Sequence, residues 1–220
     1  MQPFHIAIDG PAGSGKSSIS KELANQLHCV HIDTGAMYRA VTAIALRNQT
    51  PLDDVKTYQF LESSIFEYQK ESIYLNDEDL TDVIRETHIN QHVSLVSSIE
   101  YVRKKLVEVQ QHLAKKYDVV MDGRDIGSVV LPNAQVKIFL TAEIEERAKR
   151  RIHELGIDIP LKQMIDDIAS RDLKDSTRKI SPLTKASDAI VIDTTYLTKE
   201  EVIQAILIEI DKRKRQHAKH

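Results

Sequence analysis

The chain has 220 residues, 41% of them hydrophobic and 29% charged, which suffices for one α/β domain and is short for two independent cores. With 30 Lys and Arg against 33 Asp and Glu the net charge is −3, which argues against a broadly nucleic-acid-binding surface and for a small-molecule partner. The lone cysteine, Cys29, allows no internal disulfide or cysteine-rich metal site and fits a reducing cytosol, and no long apolar run near the amino terminus suggests a leader or membrane span. The expectation is a cytoplasmic protein with no membrane and no nucleic-acid partner.

Residues 4–9 read as a buried strand, 10–15 as a glycine-rich turn, and Lys16–Leu27 as a helix with Ile19, Leu23 and Leu27 at helical spacing. A second apolar run, 29–32, ends at Asp33, and 38–47 resumes a helical pattern through Val41, Ile44 and Ala45. Residues 51–116 break this rhythm. A helical piece near 58–61 precedes 64–70 and 72–75, which partly alternate and flank Lys70 and Glu71 as a hairpin, and 93–113 reads as helical again. The block is too long for a plain crossover and reads as an inserted subdomain.

Further strands are expected at 119–121, 136–140 and 189–192; short apolar strands alternating with helices imply a parallel sheet covered on both faces. Residues 147–178 are dense in Arg and interrupted by Gly156 and Pro160, the pattern of a mobile helical hairpin. Thr198 and Glu201 form a capping box that announces the final helix, and the basic tail 212–220 reads as a solvated helix end favoured by the helix dipole.

Residues 10–17 match the phosphate-loop pattern G-x-x-x-x-G-K-S, with a strand before and a helix after. The glycines let the backbone wrap closely, so that N–H groups of Gly10, Ala12, Gly13, Ser14, Gly15, Lys16, Ser17 and the adjoining Ser18, with Pro11 shaping the turn, face the phosphates of ATP. Lys16 would bridge the β- and γ-phosphates, and Ser17 would offer its hydroxyl to Mg2+. Residues 33–39, Asp-Thr-Gly-Ala-Met-Tyr-Arg, follow the second strand at the carboxyl edge where open α/β sheets bind ligands. Residues 119–127 repeat the arrangement: an apolar strand, Asp122 as a second candidate for the magnesium shell, then Arg124 and Asp125 on a glycine-flanked turn.

Arg147, Arg150 and Arg151 fall on one expected helix, and Arg171, Asp175 and Arg178, spaced by four and three, on one helical face. Spacing alone favours a solvated, ion-paired face; transfer between two phosphate groups favours a cationic clamp on a closing flap. Two rivals stand beside phosphoryl transfer to a nucleotide: a kinase for another small acceptor, and a nucleotide-driven switch or ATPase. The absence of an Asn-Lys-x-Asp motif opposes a GTPase switch.

Taken together, residues 8–17, 33–39, 121–130, Arg171 and Asp172 with Asp175 and Arg178, and 181–183 closely resemble bacterial cytidylate kinase over nearly the whole chain. The resemblance implies a nucleoside monophosphate kinase transferring the γ-phosphoryl of ATP to CMP or dCMP, acting as a monomer. It implies one P-loop domain over 1–220, a three-layer α/β/α core with a central parallel sheet at about 1–50, 117–146 and 179–220. A monophosphate-binding insertion would occupy about 51–116 and a short helical lid about 147–178. By the same resemblance Thr34, Tyr38, Arg39, Arg124 and Arg178 surround the acceptor phosphate, Arg171 and Asp175 reach the sugar hydroxyls, and Ser94, Arg103 and Asp125 read cytosine. Lys16, Arg124 and Arg178 would be catalytic.

Overall fold

The computed structural model describes residues 3–69 and 72–217. Lys70 and Glu71, the expected hairpin turn, and the last three residues of the basic tail lie outside the described residues. Contacts divide the chain into two compact units, residues 1–31 with 116–220, and residues 32–115.

The first unit is built on a parallel sheet. Strand β1 (His5–Asp9) pairs with β6 (Val119–Gly123) and β7 (Val136–Thr141), and β7 pairs with β8 (Ile190–Asp193). Beyond β6 comes β2 (Val30–Asp33), entered through a bond from the Val30 N–H to the Asp118 carbonyl at 2.9 Å, giving the order β2-β6-β1-β7-β8. Ile6, Ala7 and Ile8 are all fully buried, the uninterrupted apolar run required of a strand covered on both faces. Helices α1 (Lys16–Leu27) and α7 (Lys199–His217) contribute Ile19, Leu23, Val202, Ile203 and Ile206 to one core with Ile8, Val120 and Ile138. The capping box forms as expected, the Thr198 N–H reaching Glu201 at 2.8 Å and the Glu201 N–H returning to the Thr198 hydroxyl at 3.2 Å. The helical hairpin is α5 (Ile144–Leu155) and α6 (Leu161–Thr177), separated by Gly156 in a left-handed conformation and by Pro160 immediately before α6.

The second unit opens with α2 (Thr34–Arg47), started by the Asp33 carboxylate accepting from the Ala36 N–H at 3.0 Å. After a 3-10 helix, Val55–Glu62, come antiparallel strands β3 (Phe66–Gln69) and β4 (Ser72–Leu75), the expected hairpin with narrower first strand, and a third strand, β5 (Glu78–Asp79), that the sequence pattern did not reveal. The helical run expected over 93–113 is two helices, α3 (Thr87–Val96) and α4 (Glu100–Ala114). The break has a local cause. The hydroxyls of Ser97 and Ser98 turn back onto the carbonyls of Ser94 and Leu95 at 3.2 and 2.7 Å, offering the backbone an alternative to continuing the helix, and Ile99 is extended. Among the described residues no helix is long and apolar enough to cross a membrane.

Leu23 is fully buried in α1, whereas Leu173 on α6 is 63% exposed. Leu23→Ala should therefore lower unfolding free energy by roughly 2–5 kcal/mol and Leu173→Ala by less than about 0.5 kcal/mol, measured by urea denaturation; equal effects would mean that α1 does not pack as described.

Candidate active site

The phosphate loop lies between β1 and α1. Gly10, Gly13 and Gly15 have φ of 152°, 73° and 86°, a region where side chains are strained. Gly10 and Gly13 also lack room: a Cβ on Gly10 would collide with the Leu140 carbonyl, and one on Gly13 would sit 2.8 Å from the Arg147 carbonyl oxygen. Lys16, the first residue of α1, is buried and folds back so that Nζ donates to the Pro11 carbonyl at 2.6 Å. Burial, with Arg124 and then Arg171 nearby, holds its ammonium well below the ordinary lysine range, against the opposing pull of Asp122 and Asp9.

The hairpin helices grip this loop. Asp172 accepts the Ala12 N–H at 3.0 Å, Arg147 donates to the Ala12 carbonyl at 2.9 Å, and Arg147 pairs with Asp172. Arg150 donates to the Thr194 hydroxyl at 2.8 Å and to the Thr194 carbonyl. These contacts correct the solvated-face reading for Arg147 and Arg150; only Arg151, paired with the exposed Glu154 at 2.9 Å, fits it. A charge run on a helix does not reveal which of its members meet another element's carbonyls.

At the end of β1, Asp9 accepts the N–H groups of Ile126 and Gly127, each at 2.7 Å, and so pins the turn that carries Arg124 and Asp125. That turn continues in a wide loop whose Asp125 and Ile126 carbonyls accept five residues ahead, from Val130 and Leu131. Arg124 Nε donates to Asp175 Oδ2 at 2.8 Å, and Arg178 lies 3.7 Å from Asp175 and 3.5 Å from Asp125. Burial pushes the Asp175 carboxyl up, but Arg124, Arg171 and Arg178 together outweigh it and hold it below its usual range. The expectation of one helical face needs correction. α6 ends at Thr177, and Arg178 just beyond it is extended, with φ −61° and ψ 142°. Its guanidinium is fixed instead by the 181–183 motif: Ser181, at φ 49°, aims its carbonyl at Arg178 Nε at 2.6 Å, and the Leu183 N–H returns to the Asp175 carbonyl at 2.8 Å.

Ser17 Oγ donates to Asp122 Oδ2 at 2.7 Å, so the two residues expected at a magnesium site are brought together. The other oxygen of Asp122 faces His31 Nε2 at 2.7 Å, a partner no motif had marked. A hydroxyl and a carboxylate are the hard oxygen donors that Mg2+ favours, so these side chains fit the ion.

The second unit gathers its own set. Asp33, besides capping α2, holds Arg39 Nη2 at 2.9 Å, and Thr34 and Tyr38 are buried on the same helix. Arg103, only 2% exposed, stacks over the Tyr38 ring at 5.3 Å and donates to the Ser97 carbonyl at 3.2 Å, and Ser97 in turn bonds the carbonyl of Ser94. Arg103 and the Ser94 carbonyl are thus linked through Ser97, in the break between α3 and α4.

Beside the phosphate loop in the first unit lies a cavity of about 380 Å³, lined by Gly15, Ser18, Arg150, His153, Leu197 and Val202 among others. Most of these residues lay outside every motif; the turn after β8 lines the cavity only because the sheet carries it to the loop. A shallower hollow of about 490 Å³ on the second unit, lined by Leu46, Arg47, Val83 and His88, contains none of the motif residues.

The family model for cytidylate kinase matches residues 6–212. The chain belongs to the cytidylate kinase family. Proteins named cytidylate kinase from Acholeplasma laidlawii and Caldicellulosiruptor bescii are each 51% identical to it, over 210 and 215 residues, covering 94% of this chain and 95% of theirs. The fold is shared more widely: a gluconokinase from Sinorhizobium meliloti superposes with a TM-score of 0.51 at 13% identity, covering 99% of this chain and 97% of its own. The chain is accordingly an enzyme, a kinase with a nucleotide-binding P-loop fold.

Asp9 supplies a test of the buried site. Burial, only partly offset by its two backbone donors, raises its carboxyl from 3.8 to about 6. The folded protein binds this proton more tightly than the unfolded chain, so the stability it contributes is fully present below pH 3.8 and is lost as pH rises through about 6. The stability of wild type relative to Asp9→Asn should fall by up to about 3 kcal/mol from about pH 4 to pH 7 in urea titrations; a difference independent of pH would mean the carboxyl is not raised.

Proposed function

We propose that the site residues act together as those of a CMP and dCMP kinase, transferring the γ-phosphoryl group of ATP to give CDP or dCDP and ADP. One observation carries the reading: an intact phosphate-loop geometry in a chain about half identical, over nearly its whole length, to proteins named cytidylate kinase.

The acceptor's phosphate is already an anionic nucleophile near neutral pH, so no dedicated base is needed and the protein's task is positioning and charge stabilisation. The loop N–H groups and the α1 amino terminus receive the donor phosphates, and Lys16 leaves the Pro11 carbonyl to bridge the β- and γ-oxygens. The base of ATP occupies the cavity between Arg150, Leu197 and Val202. Ser17 and Asp122 would hold Mg2+, which would supply positive charge against that of the donor phosphates. Arg124 and Arg178, preoriented by Asp175 and by the Ser181 carbonyl, take the acceptor phosphate and the group in transit, aided by Thr34, Tyr38 and Arg39. Arg171 and Asp175 serve the sugar hydroxyls. Asp125 accepts from the cytosine amino group, with Ser94 and Arg103 as the remaining base contacts. The whole chain acts as one kinase domain with an insertion and a lid, as a monomer in the cytoplasm.

Lys16→Ala should cost roughly 3–4 kcal/mol of transition-state stabilisation in kcat/KM, the worth of one preorganised charge contact, with unchanged circular dichroism. Near-normal turnover in a folded variant would sink the phosphate-loop assignment.

Screening acceptors with ATP and Mg2+ while following ADP release separates the rivals, because a switch or ATPase would release ADP without any acceptor. CMP should outrun UMP strongly, since a buried carboxylate accepts from cytosine's amino group and repels uracil's carbonyl, discrimination that can reach about 10⁴-fold. Asp125→Ala should compress the CMP to UMP ratio of kcat/KM; equal losses on both would assign Asp125 to catalysis or folding instead.

A further inference from the structure

Three side chains in the first unit form a short relay. His31 Nε2 meets Asp122 Oδ1 at 2.7 Å, and Ser17 Oγ donates to Asp122 Oδ2 at 2.7 Å. His31 comes from β2, Asp122 from β6 and Ser17 from α1, so three elements converge on one carboxylate whose side chain is 3% exposed. None of the motifs includes His31.

A carboxylate only accepts hydrogen bonds, so the ring nitrogen facing Oδ1 is the one that bears hydrogen. The side chain of Asp can rotate about two bonds, and a donor on one oxygen alone restrains a carboxylate plane less than a donor on each. Asp122 has a donor on each, Ser17 on Oδ2 and His31 on Oδ1. We infer that His31 is a positioning residue for the divalent cation, its N–H fixing the rotation of Asp122 so that Oδ2 is presented beside the Ser17 hydroxyl. The inference rests on the reading that Ser17 and Asp122 hold the cation that travels with ATP. His31 is not itself a ligand in this arrangement, since its nitrogen is engaged on the oxygen facing away from Ser17 and the ion prefers oxygen donors.

Donors that orient a ligating group are typically worth about 10–100-fold in metal affinity. The test uses the full chain with Mn2+ and ADP as probes. Water-proton relaxation reads Mn2+ binding to the ADP-loaded protein, and calorimetry with a chelator reads ADP alone. H31L and H31A, differing in volume, should both weaken Mn2+ binding about tenfold or more, while metal-free ADP affinity stays within about twofold of wild type. H31Q, whose amide N–H reaches to about where Nε2 lies, should recover most of the loss. Unchanged Mn2+ affinity in H31L and H31A would overturn the inference. So would a parallel loss of metal-free ADP binding, or failure of both to fold, since either marks a packing residue. If wild type with ADP binds Mn2+ no more tightly than ADP does in solution, the metal reading itself fails, and that outcome is seen before any substitution is made.

Discussion

Charges buried at one edge of a parallel sheet must each be held, and this requirement organises the first unit. Asp9, Lys16, Asp122, Asp125, Arg147 and Asp175 are all less than a tenth exposed, where an unsatisfied charge would be strongly destabilising. Each has a partner that also shapes the site. Asp9 takes two backbone N–H groups and thereby fixes a turn, Asp122 takes a hydroxyl and an imidazole, and Asp175 takes guanidiniums. The same bonds that make burial tolerable set the positions of Arg124, Asp125 and Ser17. Removing one partner therefore disturbs geometry as well as stability.

The hairpin of α5 and α6 follows the same logic. Its Arg147 and Asp172 hold the carbonyl and the N–H of Ala12, a residue in the middle of the phosphate loop. The loop's glycine backbone leaves its polar groups open, and the hairpin supplies groups that answer them. The extended backbone at Arg178 and the left-handed Ser181 close the far end of α6, converting a helical spacing into a turn that aims a guanidinium at Asp175 and Asp125.

Much of this was legible in the residue order. The strand, loop and helix at 5–27 follow from an apolar run, glycines at spaced positions and helical periodicity, all of which act over a few residues. The third strand of the small sheet, two residues long, carries too little pattern to be read, and the break at Ser97 and Ser98 turns on side-chain bonds that compete with the helix rather than on any strong breaker. Spacing left Arg147 and Arg150 open between a solvated face and a clamp for a related reason: only the packed hairpin brings Ala12 and Thr194 within their reach.

The sequence by itself determined the phosphate loop, the Asp122, Arg124 and Asp125 turn and the parallel α/β class, because glycine conformation and hydrophobic periodicity are local properties. The tertiary structure alone decided that His31 joins Asp122, that Asp172 joins Ala12, and that Leu197 and Val202 wall a cavity beside Gly15. Those partners lie from about 90 to 190 positions apart in the chain, and nothing in local spacing encodes a contact that exists only once the strands are ordered β2-β6-β1-β7-β8 and the helices are packed against them.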